Sequence, residues 1–185
     1  MKDLKWKILS SEYLFNDNWF KVRKDKCLTA GGKLVDPYYV YEFPTWAAAV
    51  AITEDNKVVM TWQYRHALGE TALELPGGCV DDTDKSPEDG IARELLEETG
   101  YSFSNYTYLG RISPNPSTNN NLLHMFLATG GRKTAEQQLD PNEEIEVVLL
   151  SIEELKQLLR ENKIVQAMHV SCIMYALEKL NELKY

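Results

Sequence analysis

The chain has 185 residues, of which 44% are hydrophobic and 26% charged, and a formal net charge of -8. That length suits one ordinary domain with a small extension, and the composition suits a packed soluble core. The acidity argues against a nonspecific nucleic-acid binder, which neutralises phosphates with Lys and Arg, but an acidic protein still handles phosphates when a divalent cation supplies the positive charge.

The N-terminal "MKDLKWKILS" lacks the apolar region of a signal peptide. Residues 6–43 read as strand-rich: "YLFNDNWFKVRKDKCLT" mixes aromatic and β-branched residues with polar ones, and "TAGGK" supplies a turn before "YYVYEF". Pro44 marks a boundary. Two strand-like runs, "WAAAVAIT" and "KVVMTWQYR", flank "EDN" and predict a hairpin, with Trp46 and Trp62 in the core. "TALELPGG" reads as a short strand that runs into a Gly-rich break.

A helix start follows. Ser86 is a candidate N-cap, Pro87 suits the first helical position, and Asp89 can reach back to the cap. The helix is expected over Pro87 to Thr99, ended by Gly100 as a left-handed cap. Further strands are predicted at "YTYLGRI", "LLHMFLAT" and "IEVVLL", with the polar loop "NPSTNNN" between the first two. Ser151 and Glu154 form a capping-box pattern before "IEELKQLLREN". A last helix is expected over about Ile164 to Leu183, with Val165, Met168, Cys172, Tyr175 and Leu180 on its packed face. No run approaches eighteen apolar residues, so no membrane span or membrane partner is expected. Cys27, Cys79 and Cys172 are scattered and odd in number, which reads as reduced thiols in a cytoplasmic protein. The three histidines, His66, His124 and His169, share no metal-ligand spacing and read as ordinary strand or helix residues.

The densest charge lies in "ARELLEETGY". On a helix, Glu94, Glu97 and Glu98 are three and four residues apart and share one face. Their mutual repulsion is relieved by a hard cation such as Mg2+ or Mn2+. The competing reading is a solvated face with Glu/Arg pairs, and by spacing alone the two stand level. Arg93 can pair with Glu97, and Leu95 and Leu96 can turn toward the core. The glycines of "ELPGG", just upstream, allow a backbone carbonyl to approach a cation or phosphate closely.

Taken together, these residues resemble the Nudix hydrolase box, G-x5-E-x7-R-E-U-x-E-E-x-G-U with U apolar. From Arg93 onward the match is complete through Glu94, Leu95, Glu97, Glu98, Gly100 and Tyr101. The upstream half departs. Counted from Gly78 there is one extra residue before Arg93, and counting back from Arg93 places Lys85, not Glu, at the first acidic position; Asp84 or Asp82 could substitute. The resemblance extends over nearly the whole chain, through "QYR" (Gln63–Arg65), "ELPGG", "SP" and "FLA", to the ADP-ribose pyrophosphatase and nucleoside-diphosphate-sugar group.

That resemblance implies an α+β fold: a Nudix α/β/α sandwich with a mixed sheet over residues 45–185, preceded by a small antiparallel β-sheet over residues 1–44 that serves dimerisation and substrate binding. It implies an Mg2+-dependent pyrophosphohydrolase, with Mn2+ able to substitute, acting as a homodimer on a small nucleotide sugar. ADP-ribose, cleaved to AMP and ribose 5-phosphate, is the leading substrate. GDP-mannose or another nucleotide sugar is the alternative, since the amide-rich "SPNPSTNNN" departs from the group's pattern and can hydrogen-bond a sugar or base. A non-catalytic nucleotide-sugar sensor is a third reading, favoured by Lys85 and opposed by the complete glutamate set.

Carried over residue by residue, Glu94, Glu97, Glu98 and the carbonyl of Gly77 would hold metal, and Arg93 would hold a carboxylate in place. Arg65 would contact the diphosphate, and Glu74 the terminal ribose or a bound water. Trp19 and Tyr38 would stack on the base. The general base would come from "DPNEEIEV": Glu143 by alignment, with Glu144 next.

Overall fold

Local sequence accounts for most of the strands. Runs rich in Val, Ile, Ala, Thr and aromatics alternate with Gly- and Asn-centred turns, and each run becomes a strand. The computed structural model describes residues 1–183, so the last two residues of the region 45–185 lie outside the described residues. The chain separates into two compact units, described in turn: residues 1–44 with Ser113–Leu122, and the remainder.

The first unit is a three-stranded antiparallel sheet of β1 (Lys7–Asn16), β2 (Lys21–Leu28) and β3 (Leu34–Glu42), in that order. The turn between β1 and β2 is set by Asp17, whose carboxylate accepts from the N–H groups of Trp19 at 2.8 Å and Phe20 at 2.9 Å. Phe20 packs against Phe15, Tyr41 and Phe43. Every residue of β1 is exposed, among them Ile8, Leu9, Tyr13, Leu14 and Phe15. The segment Ser113–Leu122 joins this unit by bonding to β3. Tyr41 N–H donates to Thr118 O at 2.7 Å, and Asn120 N–H donates to Tyr41 O at 3.1 Å. Asn120 Oδ1 accepts from Phe43 N–H, and Asn121 Nδ2 donates to Pro44 O. One atom of each of these two amides is therefore engaged by backbone of the same unit, while Asn121 Oδ1 is buried with no hydrogen-bond partner among the described residues.

The second unit is built on an eight-stranded mixed sheet. Its central path runs β11 (Ile145–Leu150), β5 (Val58–Arg65), β4 (Trp46–Thr53), β10 (Leu123–Lys133) and β8 (Tyr101–Ser102). β6 (Glu70–Glu74) pairs with β5, β7 (Gly77–Cys79) with β4, and β9 (Asn105–Ile112) with β10. The β4–β10 pairing is parallel and the others are antiparallel. The predicted hairpin forms, with Asn56 in the left-handed conformation at its turn.

Alternation along β4 supplies two cores. Ala47, Ala49 and Ala51 face helix α1 (Pro87–Thr99) through Ile91 and Leu95, while Ala48, Val50 and Ile52 face the opposite layer. That layer holds α2 (Ile152–Arg160) and α3 (Ala167–Lys179). The result is an α/β/α sandwich.

The caps behave as the sequence predicts. Ser86 Oγ accepts from Asp89 N–H, Gly100 closes α1 at φ 74°, and the Ser151/Glu154 capping box opens α2. Three readings are corrected. Leu96 is 38% exposed and only Leu95 enters the core, because adjacent helical positions are about 100° apart. Trp62 is 41% exposed rather than core, since it lies beyond Met60 at the outer end of β5. The last helix is shorter than expected: Gln166 caps its start by accepting from Met168 N–H at 2.7 Å, and Leu180 caps its end ahead of left-handed Asn181. Its packed face is His169, Cys172, Ile173, Ala176 and Leu177, while Val165 and Tyr175 are exposed.

Candidate active site

Helix α1 carries the candidate carboxylates, and the two glycines of β7 bring the backbone against them. Gly77 N–H donates to Glu98 Oε2 at 2.8 Å. Gly77 admits no side chain, and one at Gly78 would have to displace the Glu94 carboxylate. At Gly77, φ is +148°, and a Cβ would stand 2.2 Å from the Ala47 carbonyl oxygen. A Cβ on Gly78 would stand 2.7 Å from Glu94 Oε1. The glycines here make room for the Ala47–Ala48 backbone and for Glu94, and the Gly77 amide serves Glu98. Where the sequence predicts a Gly-rich break, Gly77–Cys79 pairs with Trp46–Ala48 as a strand.

Arg93 is the hub. Its Nη1 donates to Glu94 Oε1 at 3.0 Å and to Glu97 Oε2 at 2.9 Å, and its Nη2 to the Cys79 carbonyl at 2.9 Å. The far side of the guanidinium is taken by Asp84, at 3.3 Å from Nε and 3.0 Å from Nη2. Arg93 draws the Asp84 carboxyl below the usual range, against the opposing effect of burial. Lys85, beside it, is exposed. Buried Gly90 leaves room for this turn, since a Cβ there would meet Asp84 Oδ2 at 3.0 Å. Asp84, offered with Asp82 for the first acidic position, is thus bound to Arg93, and Gly90 is a part of this turn that the motif did not assign. The signal for Asp84 was the one-residue insertion, which moves an acid of the loop onto the arginine.

The carboxylates sit in different surroundings. Burial pushes Glu94 up to about 7, against the pull of Arg93, and Glu97 and Glu143 push the same way. Burial pushes Glu98 up to about 8, against the Gly77 N–H, and the charges of Glu94 and Glu143 add to it. Glu97 is the most open of the three, with its side chain 40% exposed. Glu143 lies in an exposed turn where its carboxylate accepts from Asp140 N–H at 3.1 Å. Its charge raises the pKa values of Glu94, Glu98 and Arg65.

Arg65 and Glu74 bind each other. Arg65 Nε stands 3.0 Å from Glu74 Oε2, and Nη2 donates to the same oxygen. Glu74 is buried and Arg65 is partly open, with its Nη1 outside the pair. Desolvation works against the charge on Arg65, but the Glu74 hydrogen bond and the charges of Glu74, Glu98 and Glu143 hold its pKa above the ordinary value. In the first unit, Trp19 is 75% exposed at the β1–β2 turn. Tyr38 is half-buried, its hydroxyl donating to Ser117 O at 2.6 Å and its ring edge-on to Trp6.

Among the described residues no three His, Cys, Asp or Glu side chains form a ready-made metal site. The carboxylates are turned instead onto the internal donors Arg93 and Gly77 N–H. Their chemistry still fits a hard divalent cation. Glu94 and Glu98, one helical turn apart, are both desolvated and raised, and a cation would offset that penalty with all-oxygen donors.

Comparisons with known proteins agree with this architecture. A family model described as "NUDIX domain" matches residues 43–168, and one described as "Nucleoside diphosphate sugar hydrolase N-terminal domain" matches residues 6–41. A Bacillus methanolicus protein named "Methanol dehydrogenase activator" is 28% identical over 91% of this chain and 91% of its own. A Bacillus subtilis protein named "ADP-ribose pyrophosphatase" is 27% identical over 95% of this chain and 94% of its own. A crystal structure described as an "ADP compounds hydrolase" superposes with a TM-score of 0.83 at 20% identity, covering 99% of this chain and 100% of that one, a likeness that speaks to the fold.

Proposed function

From the premise that this chain belongs to the Nudix family, we propose that it is a pyrophosphohydrolase of nucleoside diphosphate sugars that cleaves ADP-ribose to AMP and ribose 5-phosphate. The observation that carries the reading is the pair of carboxylates, buried Glu98 and partly buried Glu94, packed against the Gly77–Gly78 backbone beside Arg65. The N-terminal match to a nucleoside diphosphate sugar hydrolase domain supports the substrate class. GDP-mannose is the alternative within that class.

Glu94, Glu97, Glu98 and the Gly77 carbonyl would hold a divalent cation, Mg2+ by the hardness of the donors. Bound there, it lowers the pKa of water and neutralises phosphoryl charge. The chain's own residues do the rest. Arg93 holds Glu94 and Glu97 in register. Arg65, its Nε and Nη2 occupied by Glu74, offers Nη1 to a diphosphate oxygen, and the fixed fork suits that geometry. Glu74 orients Arg65, and the terminal ribose or a bound water is its further proposed contact. Glu143 takes the proton from the attacking water, favoured over Glu144 by alignment on the following Ile145-Glu146-Val147 run.

Trp19 and Tyr38 stack on the base, with the open Trp19 ring the better platform. The fully exposed β1 supports a homodimer in which a second copy covers Ile8, Leu9, Leu14 and Phe15. No helix among the described residues is long and apolar enough to cross a membrane, and a cytoplasmic setting is proposed from the free thiols.

The test is turnover of ADP-ribose, GDP-mannose and ADP-glucose with Mg2+ and with EDTA, with products resolved by chromatography. Chelator-sensitive release of AMP from ADP-ribose is expected. Binding of a nucleotide sugar without cleavage would replace the enzyme with a sensor.

A further inference from the structure

Helix α3 reaches the segment leading into β7 through the side chain of His169. His169 is buried, and its Nδ1 accepts a hydrogen bond from the Leu75 backbone N–H at 3.3 Å. One turn later on the same face, Cys172 Sγ lies 3.9 Å from the Ala48 carbonyl oxygen. Ala48 is the β4 partner of Gly77. The segment from Glu74 to Gly77 is therefore held residue by residue. Arg65 binds the Glu74 carboxylate, His169 takes the Leu75 N–H, Ala49 N–H donates to Pro76 O at 3.3 Å, and Glu98 takes the Gly77 N–H. Leu75 lies between β6 and β7, so no ladder partner serves its N–H, and a buried donor left unpaired is costly.

The bond fixes the state of the ring. An N–H donor facing Nδ1 requires that nitrogen unprotonated, so the imidazole is neutral with its proton on Nε2. Burial favours the same state, holding His169 down at about 4.

We infer that His169 is a positioning residue for the catalytic site: its neutral imidazole anchors Leu75 and thereby sets where Gly77 meets Glu98. The inference rests on the reading of Glu98 as a metal-binding carboxylate. His169 touches neither substrate nor metal. Its effect passes through two residues of backbone to the Gly77 amide, so its loss is expected at the low end of the about 10- to 100-fold that a direct hydrogen-bond partner of a metal ligand is worth.

The test uses the whole protein and three readouts. In wild type, a through-hydrogen-bond nitrogen–nitrogen coupling between Leu75 N and His169 Nδ1 is expected by NMR; a protonated Nδ1 would overturn the inference without any variant. Mn2+ affinity, read from the free-ion EPR signal, should fall at least about 10-fold in His169→Leu, and kcat should fall similarly with KM changed less than about twofold. His169→Asn, whose amide oxygen can take the Leu75 N–H, should recover most of both. Wild-type Mn2+ affinity in His169→Leu, or equal losses in the Leu and Asn variants, would reduce His169 to core packing. The first two readouts need no substrate, so a protein that binds Mn2+ but cleaves no nucleotide sugar would sink the proposed reaction and leave the His169 result legible. A wild type that binds no Mn2+ would sink both.

Discussion

Asp84 binds Arg93 with both carboxylate oxygens, at 3.3 Å from Nε and 3.0 Å from Nη2, so the motif arginine is anchored by an acid one position ahead of Lys85. The insertion that breaks the motif's spacing is absorbed in the turn where Asp84 also accepts from Asp81 N–H at 2.8 Å. Two variants separate the neighbours. Asp84→Asn should destabilise the fold by about 2 kcal/mol, below the full cost of breaking a buried pair because Arg93 keeps other partners, and should lower turnover as Arg93 shifts on Glu94 and Glu97. Lys85→Glu should change stability by less than about 0.5 kcal/mol, as expected for an exposed side chain. Urea titration and steady-state kinetics check both; a larger loss from Lys85→Glu would contradict the assignment.

Glu98 holds the Gly77 N–H while its pKa is pushed up to about 8. A neutral glutamine resembles its protonated state and can still accept that N–H. Glu98→Gln should therefore keep the wild-type melting temperature in EDTA and lose about 10²- to 10³-fold in kcat, the scale of removing one transition-state stabilising group. Calorimetry in EDTA beside kinetics in Mg2+ reads the split. Wild-type turnover would remove Glu98 from the metal site.

Cation binding to the native state alone should stabilise it. At 100 times its dissociation constant, Mg2+ should add about 2.7 kcal/mol, which for a chain of this size raises the melting temperature by about 5–10 °C. Glu94→Gln and Glu98→Gln should lose most of that increment. A shift in both variants equal to wild type would place the cation elsewhere.

Gly77 and Gly78 should fail differently. Alanine at Gly77 meets backbone, the Ala47 oxygen, at a positive φ, and should cost about 2–4 kcal/mol in strain and lost strand pairing. Alanine at Gly78 meets only the end of the Glu94 side chain. It should cost less than about 1.5 kcal/mol but displace Glu94 and suppress turnover. Denaturant unfolding and activity assays on the two variants test the ordering.

His169 supplies a pH dependence whose sign follows from its depressed pKa. The folded state resists protonation down to about 4, while the unfolded chain protonates near 6.5. Its contribution is whole above about pH 6.5 and is lost as pH falls toward 4, by about 3 kcal/mol in total. The difference in stability between wild type and His169→Asn should shrink over that window. A difference that stays constant from pH 7 to 4.5 would show that the ring is not held neutral.

The sequence by itself determined the features that depend on residues a few positions apart. Helix α1 with Ser86 and Gly100 at its ends, the shared face of Glu94, Glu97 and Glu98, the Arg93–Glu97 pair and the alternation of β4 all follow from periods of 3.6 and 2 and from capping chemistry. Tertiary structure decided what those residues meet. Gly77 reaches Glu98 across 21 positions and Leu75 reaches His169 across 94, and no local period encodes either separation. Tyr41 bonding to Thr118, which draws Ser113–Leu122 into the N-terminal unit, is of the same kind. The packed face of α3 also had to wait, because Tyr175 and Ile173 are both apolar enough to be core. Only the sheet it lies on selects which of them is buried. The carboxylate helix was therefore legible from one short segment, whereas the burial that raises Glu94 and Glu98, and the charge of Glu143 that adds to it, come only with the folded chain.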